Sequence, residues 1–204
     1  MIESSAHKQA RRLAQKLVAG AAENEPQITA DLQKIISEIS AEIIGLENKF
    51  KTKESLTRKL LNKSYGDPRK LQKAADRIND VLRYTFVLPF ETYADGVRRT
   101  IESLRESGYR VPENEIWNAW KSIGTGKDRG YRGINITVIS SENQKFELQF
   151  HTKESFRLKT ETHDLYKEAR LAKTSTERRE EIKNSVLEKA ADVGIPKGVK
   201  KWNM

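Results

Sequence analysis

The chain has 204 residues, enough to bury a full core, and its 38 Lys and Arg exceed its 29 Asp and Glu by nine. It has no cysteine, which excludes disulfides, thiolate catalysis and zinc–thiolate sites, and its 3 histidines (His7, His151, His163) are too dispersed for a histidine-built metal site. With a mean hydropathy of −0.74 and no apolar run near the ~20 residues of a membrane span, it reads as a soluble domain with helical extensions, and the +9 charge favours polyanionic partners. The opening Met1 to His7 lacks the basic-then-apolar layout of a signal peptide, so cytosolic action is expected. Secretion by a machine that reads no N-terminal signal would leave the same sequence.

Residues before about 20 suggest a separate basic helix or a loosely ordered arm. From Ile28, the apolar positions Leu32, Ile35, Ile36, Ile39, Ile43 and Leu46 recur at three- and four-residue steps, predicting an amphipathic helix with Pro26 just before its start. Thr52 predicts the cap of a second helix that runs through Leu56, Leu60 and Leu61 and ends before Tyr65-Gly66-Asp67-Pro68. A short helix, Arg69 to Ile78, leads into a strand from Val81 to Leu88 stopped by Pro89. Val97, Ile101 and Leu104 mark a helix from about Thr92 to Ser107, and Gly108 to Val111 begins a further strand. Gly124 to Gly130 is a glycine-rich loop. Ile134 to Ile139 and Lys145 to His151 form a hairpin across the turn Ser141 to Gln144, and helices near 153–170 and 177–191 finish the chain. This order predicts an α/β (α+β) fold with a mixed β-sheet of about five strands flanked by helices. The N-terminal extension would cover residues 1–44, the central domain 45–170, and the C-terminal helix with its basic tail 171–204.

In the last strand, Phe146, Leu148 and Phe150 fall on one face, and Glu147, Gln149 and His151 on the other. A wet outer face would explain that alternation; so would a polar site held on a rigid element. In Lys49-Phe50-Lys51-Thr52-Lys53-Glu54-Ser55-Leu56-Thr57-Arg58-Lys59, a helix starting at Thr52 sets Ser55 and Lys59 one turn apart with Lys51 at its mouth. That is either a phosphate cradle or a solvated basic helix. Asp80, just before a strand, either caps a turn or shares a magnesium ion with Glu147. Tyr131, in Gly130-Tyr131-Arg132-Gly133-Ile134-Asn135, is either a stacking platform for a base or a lid over the core.

The order of these segments resembles the synthetase domain of the RelA/SpoT homologue family: basic-x-Lys-Thr-x-x-Ser-Leu-x-x-Lys, Asp before a strand, Tyr-x-Gly-Ile-Asn, then Glu-Leu-Gln-Phe-His-Thr. It covers roughly residues 45 to 170. The resemblance implies a nucleotidyltransferase-like fold and transfer of pyrophosphate from ATP to a nucleotide 3′-hydroxyl. By position, Lys49, Lys51, Ser55 and Lys59 would bind ATP, with Arg83 in support. Asp80 and Glu147 would hold Mg2+, with Glu147 as the base and Gln149 orienting it or the ribose. Tyr131, Asn135 and His151 would face the acceptor. His163, Tyr166 and Lys167 match a supporting His-x-x-Tyr-Lys feature.

Five positions depart from the family pattern. Lys49 stands for the usual Arg, Arg83 and Thr85 for the Gly and Arg that follow the Asp, Asn135 for His, and His151 for Arg. Because an ammonium has no planar face to lay on adenine, Lys49 weakens stacking there. The departures look like the toxin-type branch and leave three acceptors open: a guanine nucleotide, an adenine nucleotide, or the tRNA 3′ CCA end. A toxin would imply an immunity protein or antitoxin. A non-catalytic RNA-binding module on the same basic surface is the rival from another class. The oligomeric state is not written in the sequence.

Overall fold

The structure, a computed structural model, describes residues 4–171 and 173–202. Met1 to Glu3, part of the opening read for a signal, lie outside the described residues, as do Ala172 and the last two residues of the tail. Among the described residues the elements run α1 (Ser5–Glu38), β1 (Glu42–Ile44), α2 (Lys53–Ser64), α3 (Leu71–Ala75), β2 (Leu82–Val87), α4 (Tyr93–Glu106), β3 (Ile116–Asn118), β4 (Ile134–Ile139), β5 (Lys145–His151), α5 (Lys153–Glu161), α6 (His163–Ala169) and α7 (Thr176–Ala191). The five strands form one mixed sheet in the order β1-β2-β5-β4-β3. The central pair β2 and β5 is parallel and every other pairing antiparallel, as the predicted fold class requires.

Strand alternation gives the sheet two unlike faces. Leu82, Tyr84 and Phe86 join Phe146, Leu148 and Phe150 and Ile134, Ile136 and Val138 in a fully buried apolar layer. Tyr84 meets Phe146 edge to face at 5.7 Å, and Phe86 meets Phe150 at 5.8 Å. Helix α1 lies on this face, with Thr29 Oγ1 at 2.9 Å from the Tyr84 hydroxyl and Tyr109 donating to Asp31 at 2.6 Å. From α4, Tyr93 donates to the Phe150 carbonyl at 2.8 Å. Apolar side chains of α1 and of the C-terminal segment, among them Leu32, Val193 and Val199, belong to the same core as the sheet. The opposite face carries Arg83, Thr85, Asn135, Thr137, Glu147, Gln149 and His151.

Several elements differ from the sequence reading. α1 is a single helix with Pro26 inside it, instead of an arm followed by a helix starting at the proline. Proline removes one backbone hydrogen bond. Ala10, Ala14, Ala21, Ile28, Leu32 and Ile35 are buried on both sides of it, and that packing outweighs the loss. Ile43 and Leu46, read as helical, lie past its end. Ile43 pairs with Phe86 in the edge strand β1, and Leu46 sits in a short 3-10 turn. Around Gly108 to Val111 there is one bridge, Arg110 to Ile139; the edge strand is β3, further on. The helix read over 153–170 is two, divided at Thr162. The start of α2 is as predicted: Thr52 Oγ1 accepts the Ser55 N–H at 3.2 Å. Among the described residues, no helix is long and apolar enough to cross a membrane.

Candidate active site

The polar face is organised around two carboxylates, Asp80 and Glu147. Asp80 lies just before β2, and the segment ahead of α2 runs alongside it: Lys51 N donates to Val81 O at 2.9 Å and Arg83 N to Lys49 O at 2.8 Å. That pairing sets Lys51 beside Asp80, with Nζ at 2.8 Å from Oδ2, while Lys59 from α2 reaches Oδ1 at 2.8 Å. Burial pushes the Asp80 carboxyl up, but Lys51 and then Lys59 outweigh it and hold it below the usual range. Two ammonium groups converging on one buried carboxylate, at the mouth of a helix N-terminus, make a ready receptor for a polyanion.

Glu147 lies in β5, level with Arg83 on one neighbour and Thr137 on the other. Its Oε1 accepts from Asn135 Nδ2 at 3.3 Å and its Oε2 from Gln149 Nε2 at 3.0 Å. Lys159 donates to Gln149 Oε1 at 2.6 Å. Since lysine only donates and an ionised carboxylate only accepts, the Gln149 amide has one orientation. The same logic runs the other way. Asn135 turns its oxygen to the Tyr131 hydroxyl at 2.7 Å, so Tyr131 in turn accepts from His151 Nε2 at 3.0 Å. His151 Nδ1 then accepts from the Ser155 hydroxyl at 3.0 Å, and Ser155 Oγ accepts from the Thr152 N–H at 2.9 Å. Two chains of donors, from Ser155 and from Lys159, therefore end on the same carboxylate.

Burial pushes the Glu147 carboxyl above its usual range; Arg83 opposes the rise and Asp80 adds to it. A carboxylate so raised is a stronger base than an ordinary glutamate. Burial pulls His151 down to about 3, with Lys159 adding to the effect, so the ring is neutral and serves as a fixed hydrogen-bonding strut. Burial, reinforced by Arg83, lowers Lys159 to about 8.

Of the predicted site residues, the structure brings Lys51 and Lys59 onto Asp80, and Gln149, Asn135, Tyr131 and His151 into one line with Glu147. Ser55 lies one turn before Lys59 on α2. Lys49 is held away by Glu25 of α1, at 2.9 Å. Tyr131 is not an open platform. Trp117 stacks on it with centroids 5.1 Å apart and planes at 19°, and His151 meets its edge at 5.3 Å. His163, Tyr166 and Lys167 sit exposed on α6, with His163 and Lys167 turned to Asp164, outside the network. Sequence reasoning missed Lys159, Ser155 and Trp117. The four-residue spacing of Ser155 and Lys159 behind the Thr152 cap puts both on the inward side of α5, and it could have pointed to them.

The charge of Asp80 reaches Glu147 and helps to raise its carboxyl. Among the described residues no group of three or more His, Asp and Glu is gathered for a metal. Mg2+ needs fewer protein ligands: it is commonly held by one or two carboxylates together with phosphate oxygens and water, and this hard-oxygen pair fits it. Beside Glu147 a cavity of about 320 Å³ opens toward β3.

No family model matches the sequence, nor does any curated protein. Solved structures do. The Type VI effector Tas1, in complex with its immunity protein, is 16% identical over 88% of this chain and 96% of its own, with a TM-score of 0.55. Small alarmone synthetase 2 from Bacillus subtilis is 14% identical over 87% and 90%, with a TM-score of 0.59. Small alarmone synthetase 1 from the same organism, bound to its product pppGpp, is 13% identical over 87% and 93%, with a TM-score of 0.51. The chain has the fold of the RelA/SpoT-type pyrophosphokinases.

Proposed function

We propose that this protein is a pyrophosphokinase that transfers the β,γ-pyrophosphate of ATP to the 3′-hydroxyl of a purine nucleotide, and that it acts as a bacterial toxin in the cytoplasm. The observation that carries the reading is the pair of donor chains ending on Glu147, next to a carboxylate held by two lysines. A solvated outer face has no need of a buried histidine, a half-buried lysine and two oriented amides serving one acid.

In this reading the triphosphate enters over the N-terminus of α2. Its oxygens take the Lys51 and Lys59 ammonium groups, releasing Asp80. Mg2+, held by Asp80 and Glu147, would neutralise charge developing on the phosphate oxygens. The acceptor's 3′-oxygen attacks the β-phosphorus while the bond from that phosphorus to the oxygen bridging to Pα breaks. AMP leaves with the bridging oxygen, and Glu147 takes the hydroxyl proton. Asn135 and Gln149 hold the carboxylate in place, and Arg83 offers a guanidinium to the pyrophosphate in flight. Alignment and charge neutralisation supply most of the acceleration in such chemistry. The toxin reading draws on likeness to an effector that forms a complex with an immunity protein, so a neutralising partner is implied here too.

Incubation with γ-labelled ATP and, separately, guanine nucleotides, adenine nucleotides and tRNA tests the reading. Label is expected in a nucleotide acceptor, with AMP formed in equal amount, and Glu147→Gln should abolish transfer while leaving the circular dichroism unchanged. Absence of label from every acceptor, or full turnover by folded Glu147→Gln, refutes it.

A further inference from the structure

We infer that Thr137 is a positioning residue for the two carboxylates. Bonded to Asn79 and to Glu115, it ties the segment that carries Asp80 across the strand that carries Glu147, and so fixes their separation when the donor and its metal are bound. This rests on the pyrophosphokinase reading for the word donor, but the tie itself is a feature of the fold.

In the sheet, β5 lies between β2 and β4. Asp80 stands just ahead of β2, Glu147 in β5, and Thr137 in β4 level with Glu147. A bond from the Asp80 segment to Thr137 therefore passes over β5, on the face where Glu147 stands. Asn79, the residue before Asp80, makes that bond: its Nδ2 donates to Thr137 Oγ1 at 2.7 Å. Thr137 is 4% exposed and gives its one hydroxyl hydrogen to Glu115 Oε2 at 3.0 Å. Because a carboxylate only accepts, the hydroxyl is left to accept from Asn79, and the Asn79 amide has one orientation. Glu115, just ahead of β3, brings the edge of the sheet into the same tie. Asn79, Glu115, Thr137 and Glu147 line one cavity, which sets the tie beside the Glu147 carboxylate.

The tie matters most once the donor is bound. In the free protein, Lys51 and Lys59 hold the Asp80 carboxylate, each at 2.8 Å. In the proposed reaction both lysines pass to the triphosphate, and Asp80 loses those anchors. Its segment keeps three polar ties: Lys51 N to Val81 O at 2.9 Å, Lys145 Nζ to Asp76 O at 2.9 Å, and Asn79 to Thr137. The first binds it to the stretch ahead of α2, and the second is an exposed lysine on a residue four positions from Asp80. The third joins the immediate neighbour of Asp80 to the residue level with Glu147, at a buried hydroxyl. Carboxylates that share an ion depend on such outer partners for their geometry, and losing one commonly weakens the ion's binding by about 10–100-fold.

Thr137→Val keeps the shape and the strand preference of threonine and removes the hydroxyl. Glu115 is exposed and Asn79 half-buried, so both can turn to water and folding is not at stake. Calorimetry measures binding of a non-hydrolysable ATP analogue with magnesium and again in EDTA. Thr137→Val should weaken binding about tenfold with magnesium and leave it unchanged in EDTA, where the lysines alone hold the triphosphate. Thr137→Ser, which keeps the hydroxyl, should bind as wild type does. Asn79→Ala should match Thr137→Val, and the double variant should lose no more than either, because the same bond is broken in all three. Wild-type affinity for the magnesium complex in Thr137→Val, an equal loss in EDTA, no recovery in Thr137→Ser, or losses that add in the double variant overturns the assignment. So does a wild-type protein that gains nothing from magnesium. The expected pattern without AMP formation from any acceptor upholds the tie and removes the pyrophosphokinase reading. AMP formation by a wild type whose Thr137→Val variant binds normally does the reverse.

Discussion

Replacing Lys159 by methionine keeps the reach of the side chain and removes its ammonium, which makes it a clean test of the donor chain behind Glu147. In the folded protein burial lowers this lysine to about 8, whereas the unfolded chain titrates it near 10.4. Below about pH 8 both states hold the proton, and the native state bears the full cost of the buried charge. The gap from 10.5 to about 8 corresponds to about 3 kcal/mol at ~1.4 kcal/mol per pH unit. Between pH 8 and 10.5 the unfolded chain binds a proton that the native state lacks, so Lys159 makes stability rise with pH; above that range the cost is gone. Methionine has no such term. It gives up instead the hydrogen bond to Gln149, worth about 1.5–3 kcal/mol when the donor is charged. Near pH 7 the two effects offset one another and the variant should be about as stable as wild type.

The stability of wild type relative to Lys159→Met should then grow by up to about 3 kcal/mol as pH rises from 7 to 10.5. Urea melts at pH 7, 8, 9 and 10, with unchanged m-values, measure it. Buried tyrosines such as Tyr84, pushed up to about 12 by burial, lower stability above pH 10, because the unfolded phenols ionise first. They do so in both proteins and cancel in the difference. Curves that stay parallel from pH 7 to 10 would show that the amine is not buried in the charged form, and the chain Lys159–Gln149–Glu147 would lose its anchor.

The pH dependence of transfer follows from Glu147. Its raised carboxyl places the acidic limb of kcat/KM above the ordinary 4.5, with activity lost as pH falls through it. Arg83→Gln, which removes the cation opposing that rise, should move the limb to higher pH; an unmoved limb in initial-rate profiles from pH 5 to 9 would contradict the assignment. Asp128→Ala strands Arg132, a 4% exposed guanidinium that bonds Asp128 at 2.8 and 3.2 Å, and should cost about 3–5 kcal/mol in a urea melt. A loss under about 1 kcal/mol would show that water reaches the pair.

What could be read from the sequence was whatever depends on local spacing. The Thr52 cap, the β4–β5 hairpin and the alternation that puts Glu147, Gln149 and His151 on one face are all set within a few residues. Pro26 misled because proline's local cost is decided by tertiary packing, and Leu32 and its neighbours on α1 supply that packing. Tyr131 was recognised as an aromatic beside the site, but its covering by Trp117 depends on β3 pairing with β4, a contact between segments with no local signal. Lys159 was hidden for the opposite reason. In a chain that is 33% charged, one more lysine on a helix looks solvated until the helix is docked.

Docking α5 also explains how the polar face stays electrostatically balanced. Thr85 carries no charge and burial leaves His151 uncharged, so neither supplies a cation to the polar face. Two cations serve it instead: Arg83, level with Glu147 in the neighbouring strand, and Lys159, which reaches Glu147 through Gln149. Both act on the Glu147 carboxyl, Arg83 through its field and Lys159 through Gln149. A buried carboxylate needs compensating charge and hydrogen bonds, but does not specify which strand or helix delivers them. The cations and hydrogen-bond donors around Glu147 therefore work as a set. Replacing His151 by arginine without removing Lys159 would add a further cation to those already acting on Glu147 and break the bond to Tyr131, while Thr85→Arg alone would place one beside Gln149.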